Sequence, residues 1–399
     1  MNAFAFAARS LVRQPGRAVL GIAGIAATGA LLFDMLMLSR GLVVSMESLL
    51  KGTGFDVRVT ATLSMPPAGP RISHAGATVA AVTALPEIDE VVPLRIGEAR
   101  LNLRDSASRL TLIGADAGVR RPWTLVRGRD LETTSAADPP MLVVNRSLWD
   151  RLQVPLGTQI TVHGTCTAES SAPPMAFRVS GVADFPFDEA SEMTAVTTLR
   201  ALAHACGNAA ADEVDMLMIA SRSEYGPDAA AHAIRRVRPD VQAFTNEELV
   251  ARFEQVEFSY FRQISFVLAS ITMLFGLLLI TVLLAVSTNQ RFGEIAALRA
   301  LGFSQRRMMA DVLWHSALLV GTGGLFAIPL GLGLSIWLDA LLKTMPGIPA
   351  SLHFFVFEPQ TVAVHVALLI VTTALAAIYP MRIVAHLPIA GTLRQEVIG

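Results

Sequence analysis

Four long stretches of this chain are almost free of polar side chains, and the polar segments between them are very unequal in length. Residues 18–39 (AVLGIAGIAATGALLFDMLMLS) contain one acid, Asp34, and residues 264–287 contain no charge. Residues 308–342 form a longer run, with Asp311 near its start and a Gly/Pro-rich middle around Pro329, and residues 361–380 close on Pro380. A helix needs about 20 predominantly apolar residues to cross a bilayer. The pattern predicts four transmembrane helices, the third tilted or kinked near Pro329 and the fourth ended by Pro380. The first run exceeds the ~7–15 residues of a signal-peptide core and has no small-x-small site before Arg40, so it is expected to be a retained span.

Residues 40–260 lose these runs and gain Pro, Asp and Ser, as a domain in water does. Residues 55–63 (FDVRVTATL) alternate with the period of a strand. Residues 76–88 read as a helix ending near Pro86, and 89–103 and 109–116 as further strands. Another such unit follows: a strand over 212–221, a helix over 226–239 with Pro227 in its first turn, and a strand over 240–245. Between them, 140–164 and 176–186 are strand-rich and interrupted by proline. The expectation is an α+β domain broken by a mostly β insertion.

Thr245-Asn246-Glu247-Glu248 fits a capping box, with Thr245 as N-cap, and no Gly or Pro follows before Gly276. One helix over 246–288 would be about 64 Å long at 1.5 Å per residue, against a hydrocarbon core of about 30 Å. It would project as a stalk, and residues 41–52 can extend the first span in the same way. Before that span, Phe4, Ala8, Leu11 and Val12 share one helical face, so residues 1–17 read as an interfacial amphipathic helix.

Composition agrees with the membrane reading: 399 residues, 52% hydrophobic and 16% charged, where soluble domains carry roughly 25% charge. Mean hydropathy is +0.50. A net charge of -1 gives no basis for a nucleic-acid partner. The two cysteines, Cys166 and Cys206, are too few for a disulfide scaffold; pairing in an oxidising compartment and burial as separate thiols both remain open. Arginine sets the orientation. Arg9, Arg13 and Arg17 precede span 1; Arg291, Arg299, Arg306 and Arg307 lie between spans 2 and 3; Arg382 and Arg394 follow span 4. Positive charge favours the cytoplasmic side of short loops. Both termini and residues 289–307 are therefore expected in the cytoplasm, and residues 40–260 and the short loop 343–360 outside.

The expected organisation is a membrane protein of four transmembrane α-helices, with a large α+β extracytoplasmic domain inserted between helices 1 and 2. Its divisions are 1–17, spans at 18–39, 261–288, 308–342 and 361–380, the external domain at 40–260, a cytoplasmic segment at 289–307, an external loop at 343–360 and a cytoplasmic tail at 381–399.

No phosphate-binding G-x-x-x-x-G-K-[ST], no metal-ligand cluster and no G-x-S-x-G elbow is present. His315 and His365 lie in apolar helices and read as packed or pore-facing rather than ligating. An acid inside a span is a functional candidate by default, which singles out Asp34, although a position in the outer part of the span also lets it reach toward Arg40.

The segment 289–307 (NQRFGEIAALRALGFSQRR) has one charged face, while Ile295, Leu298 and Leu301 recur at helical spacing. It resembles the signature of the permease family that includes the macrolide exporter, the lipoprotein-releasing permeases and the cell-division permease. In that family R-x-x-E-I-x-x-L-R-A-x-G opens the loop between spans 2 and 3, and Arg291, Glu294, Ile295, Leu298, Arg299, Ala300 and Gly302 match it. The tail 379–396 is similar to the family's closing P-x-x-x-A-x-x-x-x-P-x-x-x-L-R-x-E through Pro380, Pro388, Arg394 and Glu396, one residue shorter between the prolines. The external segments "VVNRSLWDRLQVPLGTQITV" and "FRVSGVAD" are also similar.

The resemblance implies a non-catalytic permease subunit of an ATP-binding cassette transporter in a bacterial inner membrane. It implies a cytoplasmic ATPase that binds the ATP and Mg and docks on a coupling helix whose residues are Arg291, Gly293, Glu294, Ile295, Leu298, Arg299, Ala300, Leu301 and Gly302. It implies a second permease subunit, identical or related, and leaves room for a periplasmic adaptor or substrate-binding protein; membrane lipid surrounds the spans. The chain itself is expected to hold no cofactor. Cargo would be lipoprotein, lipid or amphiphile. The alternative is a permease that moves nothing and signals to a cell-wall hydrolase. A membrane-anchored enzyme is the third class, and 40–260 shows no catalytic constellation to support it.

Overall fold

The computed structural model describes residues 9, 12, 13, 15–67, 69–103, 106–116, 118–132, 139–166, 172–208, 212–255, 259–290, 304–345 and 347–385. The amphipathic helix expected over 1–17 falls mostly outside these residues. The chain divides into two compact units. One comprises Met1–Leu42, Glu257–Leu341 and His353–Gly399; the other comprises Val43–Val256 and Leu342–Leu352. Four long apolar helices and a large α+β domain after the first of them give the expected fold class.

The first helix, α1, runs without a break from Pro15 to Gly52. The external unit then contributes β1 (Val57–Thr60), β2 (Ile72–Ser73), α2 (Ala75–Thr83), β3 (Ile88–Leu103) and β4 (Ser106–Ala115). Its middle holds β5 (Thr124–Gly128), β6 (Met141–Asn145), α3 (Arg146–Leu152), β7 (Gln159–Gly164), β8 (Met175–Asp184), β9 (Thr194–Thr197) and α4 (Leu199–Ala205). It closes with β10 (Glu213–Val214), β11 (Met216–Ser221), α5 (Gly226–Val237), β12 (Gln242–Thr245) and α6 (Asn246–Gln255).

Strands β12, β1, β11 and β3 pair in that order, all antiparallel. Successive side chains of a strand point to opposite faces, and here both faces are covered. Val57, Val59, Leu217 and Ile219 pack with Ala230, Ala231 and Ile234 of α5. Met218 and Ala220 pack on the other side with Phe55, Val92 and Trp123. Burial on both faces explains why residues 216–220 read as a continuous apolar run rather than an alternation.

The insertion is a closed ring. Starting from β3, the pairs β3–β4, β4–β9, β9–β6, β6–β8, β8–β7 and β7–β3 return to the first strand. The 16-residue β3 is shared: its first half belongs to the four-stranded sheet and its second half to this barrel. Leu101, Leu110, Leu142, Val162, Phe177 and Leu202 fill a core together with residues of α3 and α4. Closure depends on close approach at Gly164, where a Cβ would stand 2.0 Å from the carbonyl oxygen of Ala205. Cys166 and Cys206 form a disulfide beside this point, with Cα atoms 5.4 Å apart, so the pairing the sequence left open is made. The segment Leu342–Leu352 belongs to the external unit, and Ala350 N–H donates to the carbonyl of Asp188 at 2.8 Å.

The membrane unit contains α1 up to Leu42, α7 (Ser259–Asn289), α8 (Gln305–Leu342) and α9 (Pro359–Ala385). On α7, Gly276, Ile280, Leu284 and Thr288 are buried at four-residue spacing, while Phe266 is 72% and Phe275 62% exposed. One narrow seam packs on other helices, and the remaining apolar surface requires lipid or another chain. Small residues let helices approach closely in membranes. A Cβ on Gly323 would lie 2.7 Å from Ile25, and one on Gly331 2.9 Å from Phe33, so α1 and α8 are held together by glycine.

One expectation needs correction. The fourth helix does not end at Pro380 but continues to Ala385 with the proline inside it; α8 likewise continues through Pro329. Without competing water, neighbouring helices and local adjustment support the turn a proline weakens. The long helix expected over 246–288 is described as α6 and α7 on either side of residues 256–258, which lie outside the described residues.

Candidate functional site

Three places carry the candidate chemistry. The first is the segment expected to form the coupling helix. Arg291, Gly293, Glu294, Ile295, Leu298, Arg299, Ala300, Leu301 and Gly302 all lie outside the described residues. The described chain leaves α7 at Asn289 and re-enters helix at Gln305.

The second is a polar cluster within the membrane unit. Asp34 is fully buried on α1, and Ser335 of α8 donates its hydroxyl to Oδ1. Among the described residues Oδ2 has no hydrogen-bond partner, nor has either ring nitrogen of the equally buried His365. The His365 ring meets Phe33 edge-on at 5.3 Å between centroids. The approach of Asp34 toward Arg40 considered from sequence does not occur. Arg40 instead donates to Gln360 Oε1 at 2.8 Å and stands 3.6 Å from Glu358. A helical side chain extends back over its own preceding turn, and the small Ser335 leaves room for the carboxyl between α1 and α8.

The third was not singled out by the sequence reading. Arg58, the lone basic residue of the 55–63 alternation, is only 3% exposed on β1. Its Nη1 donates to Asn246 Oδ1, and its Nη2 to Thr53 Oγ1 at 3.1 Å and to the Leu50 carbonyl at 3.5 Å. Asn246 returns a bond from Nδ2 to the Phe55 carbonyl at 3.0 Å, and its backbone N–H donates to the Asp56 carbonyl at 2.9 Å. One buried guanidinium thus ties the end of α1, strand β1 and the start of α6 together. Burial lowers Arg58 to about 10, with the charge of Asp56 acting the other way, so it remains a cation at neutral pH. The adjoining capping box is formed: Glu248 N–H donates to Thr245 Oγ1 at 3.1 Å and Thr245 N–H to Glu248 Oε2 at 3.2 Å. The sequence carried little signal: alternation puts Arg58 on the polar face with Asp56 and Thr60, and alternation alone places such a residue in water.

Residues 18–237 match the family described as MacB-like periplasmic core domain, and residues 266–389 match the FtsX-like permease C-terminal domain. The chain belongs to the MacB/FtsX-like family of ATP-binding cassette transporter permeases. No curated protein matches it. Among solved structures it is similar to the extracellular domain of the noncanonic ABC-type transporter YknZ from Gram-positive bacteria, at 12% identity and a TM-score of 0.35, over 48% of this chain and 99% of that one. The periplasmic region of MacB from Actinobacillus actinomycetemcomitans is similar at 12% identity and a TM-score of 0.37, over 52% of this chain and 98% of that one. The assignment rests on the two family matches alone. As a MacB/FtsX-like permease the chain is a multi-pass membrane subunit of such a transporter. The two matches leave residues 238–265 between them, the stretch containing β12, α6 and the start of α7.

Proposed function

We propose that this permease transmits force: an ATPase on the cytoplasmic face displaces the 289–307 segment, and the long helices carry that displacement to the external domain, which expels or extracts an amphiphilic cargo on the outer side. The observation that carries this reading is α1. Its 38 residues from Pro15 to Gly52 form one helix, about 57 Å long at 1.5 Å per residue, roughly twice the hydrocarbon thickness. Its last turn is fastened to β1 and α6 through Arg58 and Thr53, so a movement of the helix cannot dissipate in a loose linker.

In this reading both termini face the cytoplasm of a bacterial inner membrane, ATP and Mg are held by the partner ATPase, and a second permease completes the assembly. Arg291, Glu294, Leu298 and Arg299 meet the ATPase, while Ile295 and Leu301 pack toward the spans. Asp34 and Ser335 hold α1 in register against α8. The test is ATPase stimulation in the reconstituted complex. Glu294→Lys and Leu298→Asp are expected to abolish stimulation while insertion and yield of the permease stay normal; full stimulation by both variants would remove the coupling assignment. Co-purification of a cell-wall hydrolase without cargo would replace transport with signalling.

A further inference from the structure

The external unit contains a cavity of about 330 Å³, at the small end of the range of ligand sites. Its wall is apolar and deformable. Met46 of α1, Met65, and Met216 and Met218 of β11 line it together with Trp123 and Phe253. Methionine side chains adapt to ligands of varied shape.

One buried cation faces this apolar space. Arg58 lines the cavity, and its acceptors are all neutral: Asn246 Oδ1, Thr53 Oγ1 and the Leu50 carbonyl. They engage three of the five N–H donors of a guanidinium; the Nε hydrogen and one on Nη1 have no acceptor among the described residues. Among the described residues no acid forms an ion pair with it, although the charge of Asp56 acts on it. Asp56 accepts from Ser221 N–H at 2.9 Å and from the Ser221 hydroxyl at 2.5 Å. Asp188, on the cavity wall, accepts from Asn145 at 2.6 Å and Thr194 at 2.9 Å and forms no ion pair with Arg58. Buried charges are normally paired, and among the described residues this one has Asp56 nearby but no carboxylate hydrogen-bonded to it.

We propose that the cavity binds a single-chain amphiphile whose anionic head completes the coordination of Arg58 and whose alkyl chain fills the methionine-lined space. Taking a methylene as close in volume to the ~30 Å³ share of a water, the chain is on the order of ten carbons. Because Arg58 also fastens α1 to α6, the head would sit on the junction between the two stalks.

The test uses the full chain in phosphatidylcholine nanodiscs without any ATPase, so it stands or falls separately from the coupling reading. Photoreactive alkyl probes of about ten carbons carry a carboxylate, a phosphate, a hydroxyl or a trimethylammonium head, and labelled peptides are mapped. The carboxylate and phosphate arms distinguish a fatty acid from a phospholipid fragment as the source of the head. Peptides containing residues 46–65 and 216–218 are expected to take the anionic probes at least about tenfold more than the neutral and cationic ones. Arg58→Gln is expected to lose that preference. Met65→Trp, in the loop after β1 and outside the hydrogen bonds of Arg58, fills the cavity and is expected to block labelling, which decides the matter if Arg58→Gln does not fold. Labelling indifferent to the head, or unchanged in Met65→Trp, would overturn the proposal.

Discussion

Asp188 shows how much one half-buried carboxyl can weigh on this domain. Burial raises it to about 6 despite hydrogen bonds from Asn145 and Thr194 that favour the ionised form. Between its ordinary 3.8 and about 6 the folded state holds a proton the unfolded state has lost, so stability falls as pH rises through that window and levels off above it. At 1.36 kcal/mol per pKa unit the cost at neutral pH is on the order of 3 kcal/mol. Amide exchange of β6 and β9 in the full chain is therefore expected to show a lower opening free energy at pH ~7.5 than at pH ~5, and Asp188→Asn to flatten that dependence. An equally steep slope in the variant would assign the effect elsewhere. Asp34 was visible in the sequence because an acid in a 22-residue apolar run stands out. Its partner Ser335, 301 residues away, was not, since serine is common in membrane helices and nothing local marks one as a ligand.

Elements were legible where their signals are local. The capping box at Thr245 formed as its spacing requires, because all its atoms come from four consecutive residues. Glu248 also pairs with Arg235 of α5 at 2.5 Å. Thr245→Ala is expected to cost about 1 kcal/mol, read as roughly fivefold faster exchange of the first-turn amides of α6; no change would show that the Arg235 contact holds the helix start unaided. Proline misled at Pro380, since its usual effect assumes a helix end free to turn into water. The barrel was only half legible. Strand content followed from periodicity, but closure depends on β7 reaching β3 across more than 50 residues, with Gly164 permitting contact with α4. The disulfide closes a 40-residue separation at that seam, which the chain-entropy model values at about 4 kcal/mol.

At the scale of the whole molecule the orientation is the decisive proposal. Disulfides persist in oxidising compartments, and the external unit carries one. The loop segment Leu342–Leu352 joins that same unit, as an even number of crossings between it and α1 requires. Cysteine reporters at Asp150 and Ile295 test the arrangement. In spheroplasts, Asp150→Cys is expected to react with a membrane-impermeant thiol reagent, and Ile295→Cys only after permeabilisation. The reverse pattern would place the coupling segment on the wrong side for a cytoplasmic ATPase.

The sequence by itself determined the four spans, the inserted external domain, the orientation expectation and the family, because bilayer thickness, charge asymmetry and a short contiguous motif act on neighbouring residues. Only the tertiary structure decided that the insertion is a barrel, that Asp34 turns to Ser335, and that Arg58 is buried between two helices beside an apolar cavity. Each of these depends on groups far apart in the chain meeting in a low-dielectric interior, where the identity of the partner, rather than the residue's own propensity, sets the free energy.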